Sequence, residues 1–232
     1  MTYYKIEKLG RSMPGSMTEP VRGTLEAVLK QDSDNSPCCV YNEIAALRLA
    51  QRLNVPLAMG VPCVADGGAY FASLVVGGLS INLPTITAKR MEAVARRYPA
   101  EAAALFVFDV WTLNTDRLEN VKANLSAAPV RLVAGIDHEQ SLLGARGDMQ
   151  ESLDALTALQ VPQQHPLARH VRSADAGRWI AEIGSVSDAL IESAVILGHS
   201  VNGVHARMQR KLADALKLRR DRLSDLVRKA QS

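Results

Sequence analysis

Two acidic residues, Asp116 and Asp137, lie 21 positions apart, and each follows an apolar segment. The segment 105–113, ahead of the first, carries a single charge, at Asp109. The segment 130–136, ahead of the second, is typical of a short buried strand. Carboxylates at the ends of two such elements can hold a divalent metal and orient a hydroxyl group for attack on a phosphate. The spacing therefore indicates phosphoryl transfer.

Two asparagines, Asn120 and Asn124, follow Asp116 closely. Kinase-type phosphoryl transfer uses one Asp to orient the attacking hydroxyl, an Asn and a second Asp to bind Mg²⁺, and a Lys on the phosphates. Asp116 fits the first role, Asp137 fits the second Asp, and either asparagine can be the amide ligand. Taken singly, Asp116 and Asn120 are also common turn residues. It is their order along the chain that indicates catalysis.

These motifs resemble the catalytic core of the HipA-type kinases. The resemblance covers roughly residues 1–175 and is carried by Asn-Thr-Asp-Arg at 114–117, Ile-Asp-His at 136–138 and Leu-Leu-Gly at 142–144. It implies an α+β, two-lobed, protein-kinase-like fold with a β-rich N-lobe and a mostly helical C-lobe. It also implies ATP- and Mg²⁺-dependent transfer to a serine or threonine hydroxyl of a protein, in a toxin or regulatory role in bacteria.

The resemblance also assigns roles to the acidic and amide residues. Asp116 would be the catalytic residue that orients the acceptor hydroxyl, and Asp137 would bind the metal that bridges the phosphates. The family usually has one residue more between its catalytic Asp and its metal-binding Asn than separates Asp116 from Asn120. Asn124 is therefore the alternative ligand. We expect Asp109 to anchor the catalytic loop through hydrogen bonds, because a buried carboxylate without partners is costly.

Lys30 and Glu43 lie upstream of this core. Lys30 ends the apolar segment 21–30, and Glu43 is expected in the first turn of a helix capped by Asn42. The resemblance implies that Lys30 binds the α- and β-phosphates and that Glu43 holds it through an ion pair. A solvated strand-end lysine and a glutamate favoured by the helix dipole are the simpler alternatives.

The nucleotide is expected to lie under a glycine- and serine-containing turn and against a hinge. Gly10 and Gly15 have the spacing of a phosphate-binding loop, but Ser16 stands where such a loop needs lysine. The segment 70–75 is the expected hinge, and the glycines at 77 and 78 would make that link flexible. The residues expected to contact the cofactor are Gly10, Ser12, Gly15, Ser16, Lys30, Phe71 and Ser73.

We expect an N-lobe at 1–78, a helical C-lobe at 79–205 and a basic C-terminal helix at 206–232. Helices are predicted at 87–98, 101–113, 148–159, 173–183 and 186–197 from their apolar spacing. The very apolar helix 101–113 is expected to be the buried centre of the C-lobe. It would deliver the polar loop that begins at Asn114.

Composition limits the class of protein. The 232 residues carry a formal net charge of +3, and no apolar run approaches the ~20 residues that span a membrane. The N-terminus lacks the apolar core of a secretory signal, so a cytosolic protein is expected. The segment 206–229 holds nine Lys or Arg residues against three Asp. It is either a solvated helix face or a surface for a phosphate-rich partner such as tRNA or DNA, or for an acidic protein.

Two alternatives to a protein kinase remain at this stage. A pseudokinase would bind nucleotide without turnover, and the short spacing from Asp116 to Asn120 favours it. A kinase with a small-molecule or lipid acceptor would keep the same catalytic residues. The chain is also short for the family, so a module that works with a partner chain is plausible.

Overall fold

The computed structural model describes residues 3–4, 6–12, 15, 20–78, 81–126 and 132–232. Strands dominate the first third of this part of the chain, and helices dominate the rest. The strands are β1 (Tyr3–Tyr4), β2 (Ile6–Ser12), β3 (Val21–Leu25), β4 (Ala27–Lys30), β5 (Gly60–Ala65), β6 (Gly68–Leu74), β7 (Val76–Gly78), β8 (Ile81–Asn82), β9 (Val121–Ala123) and β10 (Val133–Gly135).

The helices of the second lobe follow the predicted pattern, with ends shifted by up to four residues. A short 3-10 turn at Ala88–Arg90 replaces the start of the helix predicted from position 87. The helices are α1 (Cys39–Leu53), α2 (Met91–Arg97), α3 (Pro99–Thr112), α4 (Met149–Thr157), α5 (Ser173–Gly184), α6 (Asp188–Val195), α7 (Ala206–Asp221) and α8 (Leu223–Gln231).

The first lobe is built on the antiparallel sheet β4-β6-β5, which packs on α1. The turn between β5 and β6 has positive φ at both Asp66 (49°) and Gly67 (76°), as a tight hairpin of the Asp-Gly type requires. Lys30 lies opposite Phe71 across the ladder. The hairpin β2–β3 precedes this sheet and is separated from β4 by one residue, Glu26.

Helix α3 is the centre of the second lobe. All of its residues from 102 to 112 are buried, including Asp109. The helix ends at Leu113, which adopts a left-handed conformation with φ of 55°. This ending turns the chain directly into the polar loop at Asn114. The apolar run therefore forms the buried helix that the sequence predicts.

The two lobes contact each other beside Asp137. Gly135, at the end of β10, donates its N–H to the carbonyl of Pro56 at 2.8 Å. Its own carbonyl accepts from the N–H of Ala58 at 2.9 Å. A Cβ on Gly135 would lie 2.8 Å from a Leu105 methyl group and 2.9 Å from one of Leu57. Glycine lets the strand pass closely between the lobes without displacing these two leucine side chains.

Two details of the first lobe differ from the sequence prediction. Helix α1 begins at Cys39, so Asn42 is not its cap and Glu43 lies beyond the first turn. The carboxylate of Asp32 accepts from the N–H of Val40 at 2.8 Å and satisfies the helix start instead. The glycines at 77 and 78 are not a free link either, because they pair with β1 and β8.

The basic C-terminal segment is not one continuous helix. Helices α7 and α8 meet at Arg222. Arg219 is buried and donates to the carbonyls of Val110 and Trp111 at the end of α3. Lys217 pairs with Glu192 at 2.5 Å. Part of the basic charge thus anchors the segment to the C-lobe.

Within the described ranges, no helix combines the length and apolarity that a membrane crossing requires.

Candidate active site

Lys30 contacts one acidic residue from each lobe of the site. Its Nζ lies 2.6 Å from Glu43 Oε1 on α1 and 2.7 Å from Asp137 Oδ1 beyond β10. Burial alone would lower the pKa of Lys30, but the charges of Glu43 and Asp137 outweigh it and raise that pKa. The ammonium is therefore charged at neutral pH and held between two carboxylates from different elements.

Asp137 follows β10 in a backbone conformation that is rare for a residue with a side chain, with φ of 59°. Burial would raise the pKa of the Asp137 carboxyl, but the Lys30 ammonium more than offsets this and lowers it. Its side chain is 28% exposed. Asp137 thus presents an ionised carboxylate at the edge of the cleft.

Helix α1 also holds the segment that follows Asp137. Glu43 Oε1 accepts from the backbone N–H of His138 at 2.8 Å. The amide of Asn42 donates to the carbonyl of Glu139 at 3.0 Å and accepts from the N–H of Leu143 at 3.2 Å. The residue predicted to cap α1 therefore fixes the chain on the far side of the site.

Gly144 lies where this segment is packed most tightly. A Cβ there would be 2.0 Å from the carbonyl oxygen of Glu139 and 2.6 Å from the amide nitrogen of Asn42. We expect Gly144→Ala to lower the free energy of unfolding by about 1–3 kcal/mol, because the backbone must move to relieve the overlap. Urea unfolding measures the change. Gly177→Ala, where a Cβ on α5 meets nothing, is the matched control and is expected to be neutral or stabilising. Equal effects of the two substitutions would contradict the packing described.

The Asp116 carboxylate is positioned by the two asparagines that flank it. Its backbone N–H donates to Asn114 Oδ1 at 3.1 Å. The Asn120 amide nitrogen donates to the Asp116 carbonyl at 2.8 Å and to Asp116 Oδ2 at 3.1 Å. The four-residue spacing thus still brings Asn120 into contact with Asp116.

Arg117 ties the loop of Asp116 to the strand of Asp137. Its buried guanidinium donates through Nη1 to the carbonyls of Asn120 at 2.9 Å and Ile136 at 2.7 Å. The N–H of Ile136 donates to the Asn120 carbonyl at 3.0 Å. Two parts of the chain that the sequence separates are therefore fixed side by side.

Asp109 is the counter-ion of Arg117. It accepts from Arg117 Nε at 2.7 Å and Nη2 at 2.9 Å, from Asn114 at 3.0 Å, and lies 3.0 Å from His165 Nε2. Burial would raise the pKa of the Asp109 carboxyl, but the guanidinium outweighs it and holds that pKa well below its usual range. The anchoring role predicted for Asp109 agrees with these contacts. His165 begins a His-Pro-Leu-Ala motif that also resembles the HipA-type kinases, but its contact with Asp109 is not predictable from the sequence.

His138 supports the site as a neutral side chain. Its Nε2 lies 3.1 Å from Arg117 Nη2, and a guanidinium can only donate, so Nε2 is the acceptor and the proton is on Nδ1. Burial and the charge of Arg117 lower the pKa of His138 to about 3. This state suits support of the neighbouring residues and excludes proton transfer by His138 near neutral pH.

The structure does not bring Asn124 into this group. It lies at the opposite end of β9 from Asn120, about 13 Å along an extended strand. Its Oδ1 accepts from the N–H of Ser126 at 3.0 Å and from the hydroxyl at 2.6 Å. Asn124 thus orders the residues that directly follow β9. Asn120 is the asparagine at the end of the strand that lies beside Asp116.

Only some of the residues expected to contact the nucleotide lie at the cleft. Gly10 and Ser12 lie in β2, in an irregular stretch of the hairpin, and Gly15 turns at its tip with φ of 92°. The expectation for Ser16 falls outside the described residues. Phe71 is buried beneath the sheet, against Gly60. It is absent from the larger cleft cavity but lines a narrow pocket that Ser73, Ile136 and Asp137 also line.

A cavity of about 330 Å³ opens between the lobes beside Ile136, the residue before Asp137. Its walls are mostly apolar, which suits a flat nucleobase. Ser73, at the end of β6, does line it, and so does the start of β7. The lining residues are Glu26, Val28, Ser73, Leu74, Val75, Val76, Leu83, Lys122 and Ile136.

The donor set fits Mg²⁺ held jointly with phosphates. Among the described residues, no group of three or more His, Cys, Asp or Glu side chains could hold a metal. Mg²⁺ in kinase-type sites is bound by one or two protein oxygens and by substrate phosphates, so a larger cage is not needed. Asp137 and the Oδ1 of Asn120 are the oxygens available for it, since the Asn120 amide nitrogen is used on Asp116.

Comparisons with solved structures show which folds this chain resembles. The kinase CtkA of Helicobacter pylori, described as proinflammatory, is 13% identical with a TM-score of 0.59, over 88% of this chain and 89% of that one. The chain has the HipA-type kinase fold. HipA of Shewanella oneidensis MR-1, solved with HipB and operator DNA, is 14% identical with a TM-score of 0.51, over 96% of this chain and 64% of that one. No protein-family model and no curated protein matches the sequence. The two-lobed α+β fold predicted from the motifs is confirmed.

Proposed function

We propose that this kinase-like chain transfers the γ-phosphoryl group of ATP, with Mg²⁺, to a serine or threonine hydroxyl of a protein. The simultaneous contact of Lys30 with Glu43 and Asp137 carries the proposal. A charged ammonium, available for phosphates, thereby lies beside an ionised carboxylate, available for a metal. Kinase-type transfer depends on this arrangement of positions and charges.

Each residue of the site has one role in this proposal. Lys30 binds the α- and β-phosphates and Glu43 orients it. Asp116, fixed by Asn120, orients the acceptor hydroxyl and takes its proton late in the transfer. Asp137 and Asn120 would hold Mg²⁺, which supplies charge neutralisation on the phosphates. Arg117 keeps the Asp116 loop and the Asp137 strand at a constant separation.

The biological setting is part of the same proposal. We place the chain in the bacterial cytosol as a toxin-like or regulatory kinase of the toxin–antitoxin type. The chain spans 64% of the length of the Shewanella HipA, which was solved with HipB and operator DNA. By its likeness to that HipA, we propose that this chain also works with a partner chain.

The test is incubation of the purified chain with γ-labelled ATP, with Mg²⁺ or with a chelator, followed by counting label on protein and as free phosphate. Mg²⁺-dependent label or phosphate is expected for wild type and at least a 100-fold lower rate for Asp137→Asn, which loses a metal ligand and a partner of Lys30. Asp34→Asn, in an exposed turn, is the control. Nucleotide that raises the melting temperature without turnover would favour the pseudokinase. If ATP has no effect at all, the kinase proposal is wrong.

A further inference from the structure

A lysine, Lys122, lines the cleft cavity next to residues that are apolar. Its neighbours in β9, Val121 and Ala123, are fully buried in the core. Because successive side chains of a strand point to opposite faces, Lys122 is turned toward the other face, where the cavity lies. Val28, Leu83 and Ile136 form apolar walls around it. A positively charged side chain therefore lies in the cavity where the nucleobase would bind.

The ammonium of Lys122 has a neutral partner. Its Nζ donates to the hydroxyl of Thr85 at 2.6 Å. In the described part of the chain, no carboxylate lies within ion-pair distance of Lys122. An ammonium has three N–H groups, so two are left for a ligand. The hydrogen bond to Thr85 is exposed, so an acceptor of a bound ligand would replace water on the two remaining N–H groups.

The two purine bases offer different partners to such a group. Guanine presents two adjacent acceptors, O6 and N7, to which lysine binds well, whereas adenine presents N7 beside an amino group that donates. A donor-only ammonium is matched by the first pair and is repelled by the amino group of the second. Ser73, on the opposite wall, both donates and accepts and so does not select. Glu26 also lines the cavity but has a partner of its own.

We propose that Lys122 is a specificity-determining residue of the nucleotide cleft, hydrogen-bonding a ring carbonyl so that the cleft takes guanine nucleotides at least as well as adenine nucleotides. This inference rests on the proposed function. It adds a base preference that the catalytic residues do not determine, since they contact phosphates and the acceptor. Thr85 is the positioning residue, because its hydroxyl holds the ammonium at the rim of the cavity.

Calorimetric titration of the chain with Mg-ATP and with Mg-GTP tests the proposal. Wild type is expected to bind GTP with a dissociation constant equal to or below that of ATP. Lys122→Met keeps the aliphatic stem and is expected to weaken GTP about tenfold, within the range for a hydrogen bond to a charged group, while ATP changes by less than about twofold. Thr85→Val should also raise the GTP dissociation constant relative to that of ATP, by a smaller factor than Lys122→Met does. Lys211→Met, exposed on α7, should leave the ratio of the two constants unchanged.

The outcomes separate this inference from the proposed function. A wild type that clearly prefers ATP, or a Lys122→Met variant that weakens both nucleotides equally, would overturn the role of Lys122 and leave the kinase proposal standing. A wild type that binds neither nucleotide would overturn both. Circular dichroism of each variant shows that the fold is retained, and Thr85→Val keeps the test decisive should Lys122→Met fail to fold.

Discussion

Replacing Asp116 by alanine is expected to lower the rate of phosphoryl transfer by about 10²–10⁴-fold, the usual contribution of a positioned acid–base group. Asp116 lies in a loop that is fixed by Asn114, Asn120 and Arg117, so removal of its carboxylate should leave the loop in place. The dissociation constant of Mg-ATP should stay within about threefold, because the phosphates are bound by Lys30 rather than by Asp116. Initial rates with labelled ATP and calorimetric titration measure the two quantities.

The control for this substitution is Glu119→Ala. It removes the same charge three residues further along the same loop, from an exposed side chain. Its rate should equal that of wild type. An Asp116→Ala variant with an unchanged rate would exclude Asp116 as the residue that orients the acceptor. Loss of nucleotide binding instead of rate would show that Asp116 supports the cleft.

The second large effect is expected on stability. Asp109→Asn should lower the free energy of unfolding by about 3–5 kcal/mol, because it leaves the buried guanidinium of Arg117 without its counter-ion. Urea unfolding at pH 7 measures this loss. Asp175→Asn removes the partner of the solvent-exposed Arg172 and is expected to change stability very little. Equal losses for the two variants would contradict the buried network.

The ion pair of Asp109 and Arg117 also predicts that the free energy of unfolding depends on pH. The pKa of Asp109 is lowered in the folded chain, so the folded state binds fewer protons there than the unfolded state does. Its stabilisation is fully present above the ordinary carboxyl pKa of about 4 and is lost as the pH falls below it. The difference in unfolding free energy between wild type and Asp109→Asn should be constant from pH 8 to 5 and should shrink toward pH 3.

A double variant separates the effect of the ion pair on stability from the effect of Arg117 on the position of the site residues. Asp109→Leu with Arg117→Met removes both charges, and replacing a buried ion pair by apolar groups is often neutral for stability. The double variant should therefore be more stable than Asp109→Asn. Its rate should remain low, because Arg117 also holds the carbonyls of Asn120 and Ile136. Recovery of both stability and rate would show that these two bonds do not position the site.

The parts of the fold predictable from the sequence are those encoded locally. The apolar run of α3 can only be buried, and it ends where the polar loop begins. The order of the motifs predicts one group made of Lys30, Glu43 and Asp137. The structure has the two ion pairs that join these residues. Periodicity and motif order suffice here because each element carries its own signal.

The contacts that could not be predicted are those made across long separations. Asn42 is of a type that caps helices, yet its amide bonds residues about 100 positions away. The choice between Asn120 and Asn124 depends on β9 being only three residues long, which no spacing rule reveals. Phe71 and Ser73 share one face of β6, and how far each side chain reaches into the cleft depends on the packing of α1 against that sheet.

The segment after Asp137 has one more consequence. Only residues 138–148 separate it from α4, and α1 already holds this stretch through Glu43 and Asn42. Many protein kinases keep a long loop here that is disordered until phosphorylation orders it and switches the enzyme on. In this chain the corresponding segment is short and is already held by α1. Under the proposed function, we expect that no ordering step in this segment controls activity, so that restraint would act from outside, through the abundance of the protein or through a partner that covers its cleft.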